Sequence, residues 1–155
     1  MIFPLRPYRL KVPTPSLGGS MVRYKPVVPL SIIGPGGQVT HPALVDTGAD
    51  DVVFPANVAA HIGVDLTAAL PGEARGLGGS KPVPLLYAPT ILLLADATQS
   101  CRWRAMIAFT QAPLRFAIFG IAGGLEFFRT TLDVVDREIV LLPKSSLPTT
   151  TAGAP

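Results

Sequence analysis

Short apolar runs, each closed by glycine, proline or a polar cluster, set the pattern of this chain. Met21 to Ile33 is rich in Val, Tyr, Leu and Ile, Gly34-Pro35-Gly36-Gly37 interrupts it, and Gln38 to Val45 resumes as an apolar strand. That sequence predicts a hairpin. The polar stretch Asp46-Thr47-Gly48-Ala49-Asp50-Asp51 follows, then a short strand over 52–54. Pro55 at a first helical position, alanines at 56, 59 and 60, and Gly63 as a stop predict one helix over 55–62. Residues 73–84 contain Arg75-Gly76-Leu77-Gly78-Gly79-Ser80 between extended flanks, which predicts a hairpin with a glycine tip. Strands are expected over 85–94 and 102–109, the second alternating as Arg102-Trp103-Arg104-Ala105-Met106-Ile107 in the manner of a half-buried strand. An apolar run over 116–119 ends at Gly120, and 124–129 reads as a short helix. A last hairpin is expected from 130–135 and 138–142, turned at Asp136-Arg137. Residues 1–20, with prolines at 4, 7, 13 and 15, read as an extended arm or edge segment, and 144–155 as a disordered tail of low complexity.

Composition narrows the class. A chain of 155 residues holds one compact domain with its own core, here expected over 21–143, and is too short for two. Apolar residues make up 48% and charged ones 15%, which excludes a disordered charged tail, and 15 glycines with 17 prolines favour short strands over long helices. The expected class is mostly β, with one or two short helices. The formal charge is +3, but lysines and arginines are scattered along the sequence, so nucleic acid is not an expected partner. The longest apolar stretch, 84–95, is broken by Pro89 and is too short for a spanning helix, so no membrane partner is expected either. The one cysteine, Cys101, offers no intrachain disulfide, and the first twelve residues lack a signal-peptide pattern; cytoplasm is the expected compartment.

Few residues can carry chemistry. The two histidines, His41 and His61, sit beside Pro42 and near a helix end, and read as ordinary turn or surface residues. No serine-nucleophile elbow, zinc-binding His pair or phosphate loop is present, and the glycines at 76–79 depart from dinucleotide-binding spacing, so neither metal nor cofactor is expected. Asp46 is different. It follows the apolar run Ala43-Leu44-Val45 and precedes Thr47-Gly48, so a strand delivers a carboxylate into a turn where glycine lets another backbone come close. A chain of this length holds a given Asp-Thr-Gly triplet by chance in only about three cases in a hundred. The plainer reading of the segment is an Asx-type turn that caps the strand.

Ala43-Leu44-Val45-Asp46-Thr47-Gly48-Ala49-Asp50-Asp51 resembles the catalytic segment of the retropepsins, the single-domain aspartic peptidases that include the retroviral enzymes. Three further features fall in the family's order. The glycine-tipped hairpin at 76–79 resembles the flap, Ala117-Ile118-Phe119-Gly120 the second hydrophobic-hydrophobic-Gly element, and 125–129 the short helix after it. The likeness spans residues 24–142, and bacterial stand-alone members are the nearest in kind. It implies a closed-barrel, half-pepsin fold. It departs where family members often carry Arg or Asp after the second glycine and this chain has Ile121-Ala122-Gly123-Gly124.

Hydrolysis by carboxylates needs one group to take a proton from water and another to donate one to the substrate. Two carboxyls about 3 Å apart share a single proton and supply both. The chain has one Asp-Thr-Gly; Asp65, Asp96, Asp133 and Asp136 lie in turn contexts, and Asp50 and Asp51 are too near in sequence to face Asp46 symmetrically. The second carboxylate is therefore expected from another copy, on a two-fold axis. The expected reading is an aspartic endopeptidase acting on peptide or protein as a homodimer. Asp46 activates water, Thr47 braces the paired loops and Gly48 keeps the approach open, while Ala49, Asp50, Asp51, Gly76, Leu77, Gly78 and Gly79 contact substrate from the loop and the flap. Val53, Leu77, Val83 and Phe119 are expected to make the cleft apolar, and Trp103, Phe127 and Phe128 to serve core or dimer contacts. The alternatives are a non-catalytic binding or dimerisation module on the same fold and a nucleic-acid-associated protein.

Overall fold

The computed structural model describes residues 1–76 and 81–148. Twelve strands and one helix follow in order: β1 (Ile2–Pro4), β2 (Arg6–Arg9), β3 (Val22–Lys25), β4 (Val27–Gly34), β5 (Gly37–Val45), β6 (Val53–Pro55), α1 (Ala56–His61), β7 (Leu70–Ala74), β8 (Val83–Ala95), β9 (Ser100–Thr110), β10 (Ala117–Phe119), β11 (Phe128–Asp133) and β12 (Glu138–Pro143). The expected hairpins at 21–45 and 130–142, the short strand after the Asp46 loop and the single helix all form. The helix expected over 124–129 is a correction. Only Leu125–Phe127 makes a 3-10 turn, and Phe128 and Arg129 enter β11 because Phe128 is buried against Trp103 and Phe119.

The main sheet runs β4-β5-β10-β6-β9-β8-β7, and β4 also pairs with β8. That extra pairing joins Leu30–Ile33 to Ile91–Leu94 and closes six strands into a barrel, leaving β7 hydrogen-bonded to the outside of β8. Closure removes the free edges that a long apolar strand such as β8 would otherwise expose. The inward positions of β4, β8 and β9 fill the interior, with Leu30, Ile32, Leu92, Leu94, Trp103, Ile107 and Phe109 all buried. Each such aliphatic or aromatic side chain stabilises the fold by about 1.5–3 kcal/mol on burial. Trp103 has its polar edge satisfied as well: the indole N–H donates to the Gly123 carbonyl at 2.8 Å, which pins the 120–124 turn to the core.

The first residues and the segment just after β12 are part of this packing. β1 pairs with β12, which pairs with β11, and Met1, Phe3 and Leu5 are buried in the core. After β12, Lys144 N–H donates to the Phe127 carbonyl and Leu147 is only 8% exposed. Among the described residues, no helix is long and apolar enough to cross a membrane.

Candidate active site

One strand arrangement positions the Asp46 loop. β10 lies between β5, to which it is parallel, and β6, to which it is antiparallel. The chain leaving β5 at Val45 must therefore arch over the end of β10 before it enters β6 at Val53. The arch is tied down throughout: Asp46 N–H donates to the Phe119 carbonyl (3.1 Å), Ile121 N–H to Ala49 (3.0 Å) and Ala122 N–H to Asp50 (2.7 Å). Gly120 sits directly beneath. A methyl group there would overlap the Asp51 carbonyl oxygen and stand 2.7 Å from that of Ala49, so a bare backbone is the geometric requirement for this crossing.

Within the arch, Asp46 Oδ1 accepts the Gly48 N–H at 2.9 Å. This is an Asx turn, as the plainer reading expected, but it engages only one oxygen. Asp46 Oδ2 has no hydrogen-bond partner among the described residues, and the side chain borders a cleft of about 740 Å³. The turn thus orients a carboxylate and leaves half of it available for chemistry.

The cleft lies between the arch and the legs of the β7–β8 hairpin. Asp46, Gly48, Ala49, Asp50, Asp51 and Gly76 all line it. Thr47 does not; it is exposed and has no partner within the described residues. Leu77, Gly78 and Gly79 lie outside the described residues, although the hairpin legs on either side pair as expected, Ala74 with Val83. Val53 and Val83 face the cleft, whereas Phe119 is a correction: it is fully buried and Ile118 lines the cleft in its place. In a three-residue strand the alternation of faces sends Ala117 and Phe119 inward together.

Two groups that the sequence reading missed complete the site. The end of β9 adds Thr110 to the wall, and the loop after it adds Ala112, Pro113 and Leu114. Tyr87, on β8, donates its hydroxyl to Asp51 Oδ2 at 2.6 Å and so clamps the arch to the hairpin. Its ring lies across Gly72 on β7, where a Cβ would come within 2.5 Å of it. The phenol of Tyr87 in the mostly apolar stretch that opens at Leu85 was the available signal. Burial, then the hydrogen bond to Asp51 and the negative charges of Asp51 and Asp50, push the Tyr87 phenol up to about 12. The expected result is that one tyrosine titrates well above the ordinary value of 10.0 in an ultraviolet absorbance titration, and that Tyr87→Phe removes this late step. A folded-state value above the unfolded one stabilises the native state fully below pH 10.0, and that contribution is lost as pH rises toward about 12. A titration in which Tyr87→Phe removes an ordinary step instead would contradict the clamp.

Three other aspartates cap turns. Asp65 accepts from Thr67, Asp96 from Thr98 and Gln99, and Asp133 from Val135 and Asp136. Backbone N–H donation, first from Thr98, holds the Asp96 carboxyl well below its usual range, and donation from the Thr67 backbone lowers that of Asp65. His41 contacts the Pro42 carbonyl and His61 that of Asn57, and neither borders the cleft. Among the described residues, no three His, Cys, Asp or Glu side chains converge as metal ligands do. A second cavity of about 560 Å³, between the β4–β5 turn and the outer face of β8 and β9, holds Arg102 and Arg104 but no carboxylate.

Residues 28–96 match the family model described as aspartyl protease, a segment that includes the Asp46 arch and both hairpin legs. Among solved structures, the chain is similar to the retroviral protease-like domain of Ddi1 from Leishmania major, with 20% identity over 79% of this chain and 98% of that one and a TM-score of 0.44. No curated protein matches it. The element at 117–120 lies beyond the matched segment, and its place beneath the arch rests on the hydrogen bonds above. The fold is a closed six-stranded, retropepsin-like barrel, and the segment that carries its Asp46 loop is similar to the aspartyl proteases.

Proposed function

We propose that this chain is an aspartic endopeptidase of the stand-alone, retropepsin-like kind, active as a homodimer in which each copy contributes Asp46. The observation that carries the reading is the state of Asp46: one oxygen fixed by the Gly48 N–H, the other unpartnered at the wall of the cleft between the arch and the β7–β8 hairpin. Asp50 and Asp51 lie along the same wall, and Tyr87 holds the Asp51 carboxylate in place, so backbone amides of a bound strand have fixed acceptors to meet.

A single Asp46 cannot serve as both acid and base in one step. With two of them sharing a proton across a two-fold axis, the ionised carboxylate takes a proton from water while the water oxygen bonds to the scissile carbonyl carbon. The protonated carboxyl gives its proton to the carbonyl oxygen. As the tetrahedral species collapses the C–N bond breaks, one of its hydroxyls returns a proton to the dyad as the carbonyl re-forms, and the departing nitrogen receives a proton from the dyad, which ends with the single shared proton it began with. Thr47, exposed and without a partner among the described residues, is suited to brace the facing loop. Val53, Val83, Leu85 and Ile118 give the cleft an apolar lining that favours hydrophobic side chains beside the cut bond. The test is digestion of a peptide library at acidic and neutral pH by the wild-type chain and by Asp46→Asn. Cleavage confined to the wild type supports the reading, and equal cleavage by both defeats it.

A further inference from the structure

Four cations from three separate stretches of the sequence, Arg6, Arg23 with Lys25, and Arg115, meet on one face, which corrects the impression of scattered charge. In the β2–β3 ribbon Arg6 is paired with Lys25 and Tyr8 with Arg23. Cross-strand partners and alternate residues share a face, so Arg6, Tyr8, Arg23 and Lys25 project on the same side. Arg115, from the loop before β10, brings its guanidinium carbon to 3.9 Å from the Tyr8 ring centroid, and Lys25 Nζ stands 4.9 Å from the same ring and 5.6 Å from that of Phe116. The rings pack edge to face at 6.4 Å and hold the two cations in fixed places. Among the described residues, no carboxylate forms an ion pair with Arg6, Arg23, Lys25 or Arg115; the side-chain pair that does form is Glu73 with Arg75.

This patch adjoins the cleft through the chain itself. Leu114 lines the cleft and Arg115 is the next residue. On the other side Lys25 precedes Pro26, whose carbonyl accepts the Val45 N–H one residue before Asp46. The cleft wall has the opposite character, with Asp46, Asp50, Asp51 and Glu73 against Arg75 alone. An extended polypeptide leaving the cleft therefore passes from an acidic, apolar-lined trough onto a set of pre-positioned cations.

We propose that this face receives acidic side chains of the substrate, so that the preferred substrate class is an apolar segment flanked by Asp or Glu; the assignment rests on the peptidase reading above. Guanidinium groups held against aromatic rings are preorganised to accept carboxylates, because little freedom is left to lose on binding. A polypeptide suits the patch better than a nucleic acid. The rings of this face that could stack a base already carry cations, Tyr8 beneath Arg115 and Phe116 with Lys25 Nζ at 5.6 Å.

The test is fluorescence anisotropy with the full chain and two labelled peptides that share an apolar core, one flanked by glutamates and the other by glutamines. The acidic peptide is expected to bind about tenfold tighter at low salt, on the scale of a few charge-assisted contacts. The difference should shrink at high salt. Arg23→Glu combined with Arg115→Glu should abolish it, and Arg6→Glu with Arg23→Glu, both exposed and outside the ring stack, covers the case in which loss of Arg115 disturbs folding. Equal binding of the two peptides, a preference that survives both charge-reversed variants, or displacement of the acidic peptide by a single-stranded oligonucleotide more readily than by an unlabelled peptide of equal charge would overturn the proposal. Binding is read without cleavage. A preference for glutamate flanks with no cutting of either peptide would defeat the peptidase reading alone, and cutting with indifference to the flanks would defeat the docking surface alone.

Discussion

Asp46→Asn is expected to abolish the cleavage proposed for the wild-type chain, with a fall of about four orders of magnitude, the upper end of what a positioned acid-base group supplies. The size of the effect follows from symmetry: one substitution removes both the base that takes the water proton and the acid that donates to the carbonyl. The fold should be unchanged. Asp46 Oδ1 accepts one N–H, from Gly48, and the side-chain amide oxygen of the variant can accept the same bond, so the Asx turn persists. The measurement is the initial rate on the best library peptide, with thermal unfolding as the check on stability. A variant that keeps its melting temperature and loses its activity separates chemistry from folding.

Gly120→Ala is expected to cost both at once. Its methyl group would have to occupy space held by the backbone oxygens of Asp51 and Ala49, and neither can swing aside as a side chain could. The arch is bound to β10 and the following turn by hydrogen bonds from Ile121 and Ala122, so relief requires lifting the whole loop. Overpacking of this kind destabilises by about 1–3 kcal/mol. The catalytic penalty should be larger in proportion, since a displacement of about 1 Å in a reacting group costs about a hundredfold in rate. Thermal unfolding and the rate on the same peptide check the two effects. A variant as stable and as active as wild type would mean that the arch does not depend on the strand beneath it.

The parts of the site that could be read in the sequence are those encoded within a few consecutive residues. Asp46 stood out because an apolar strand, a carboxylate and a glycine follow one another, and the fold keeps that local order: β5 ends at Val45 and the turn begins at Asp46. The hairpin legs and α1 were legible for the same reason, their turn and cap residues lying beside the apolar runs they close. Tyr87 was not, because its partner Asp51 lies 36 residues away and only barrel closure brings β8 across the arch. Phe119 and Ile118 exchanged roles because β10 is too short for its alternation to establish which residues face inward. The basic face was invisible for a related reason. Positions 6, 23, 25 and 115 become neighbours through the β2–β3 register and the Tyr8 ring, and no pattern along the chain marks them as a group.

The central claim, that two identical chains build one catalytic centre, is tested most directly by mixing subunits. Wild-type and Asp46→Asn chains are combined at constant total concentration, exchange is verified with a mass tag on one of them, and the rate on a single peptide is followed against the wild-type fraction. A shared centre makes every mixed dimer inactive, so the rate falls with the square of that fraction and an equal mixture retains about one quarter of it. A straight-line fall, with about one half retained at equal mixture, would mean that each chain works with its own carboxylate and would contradict the account.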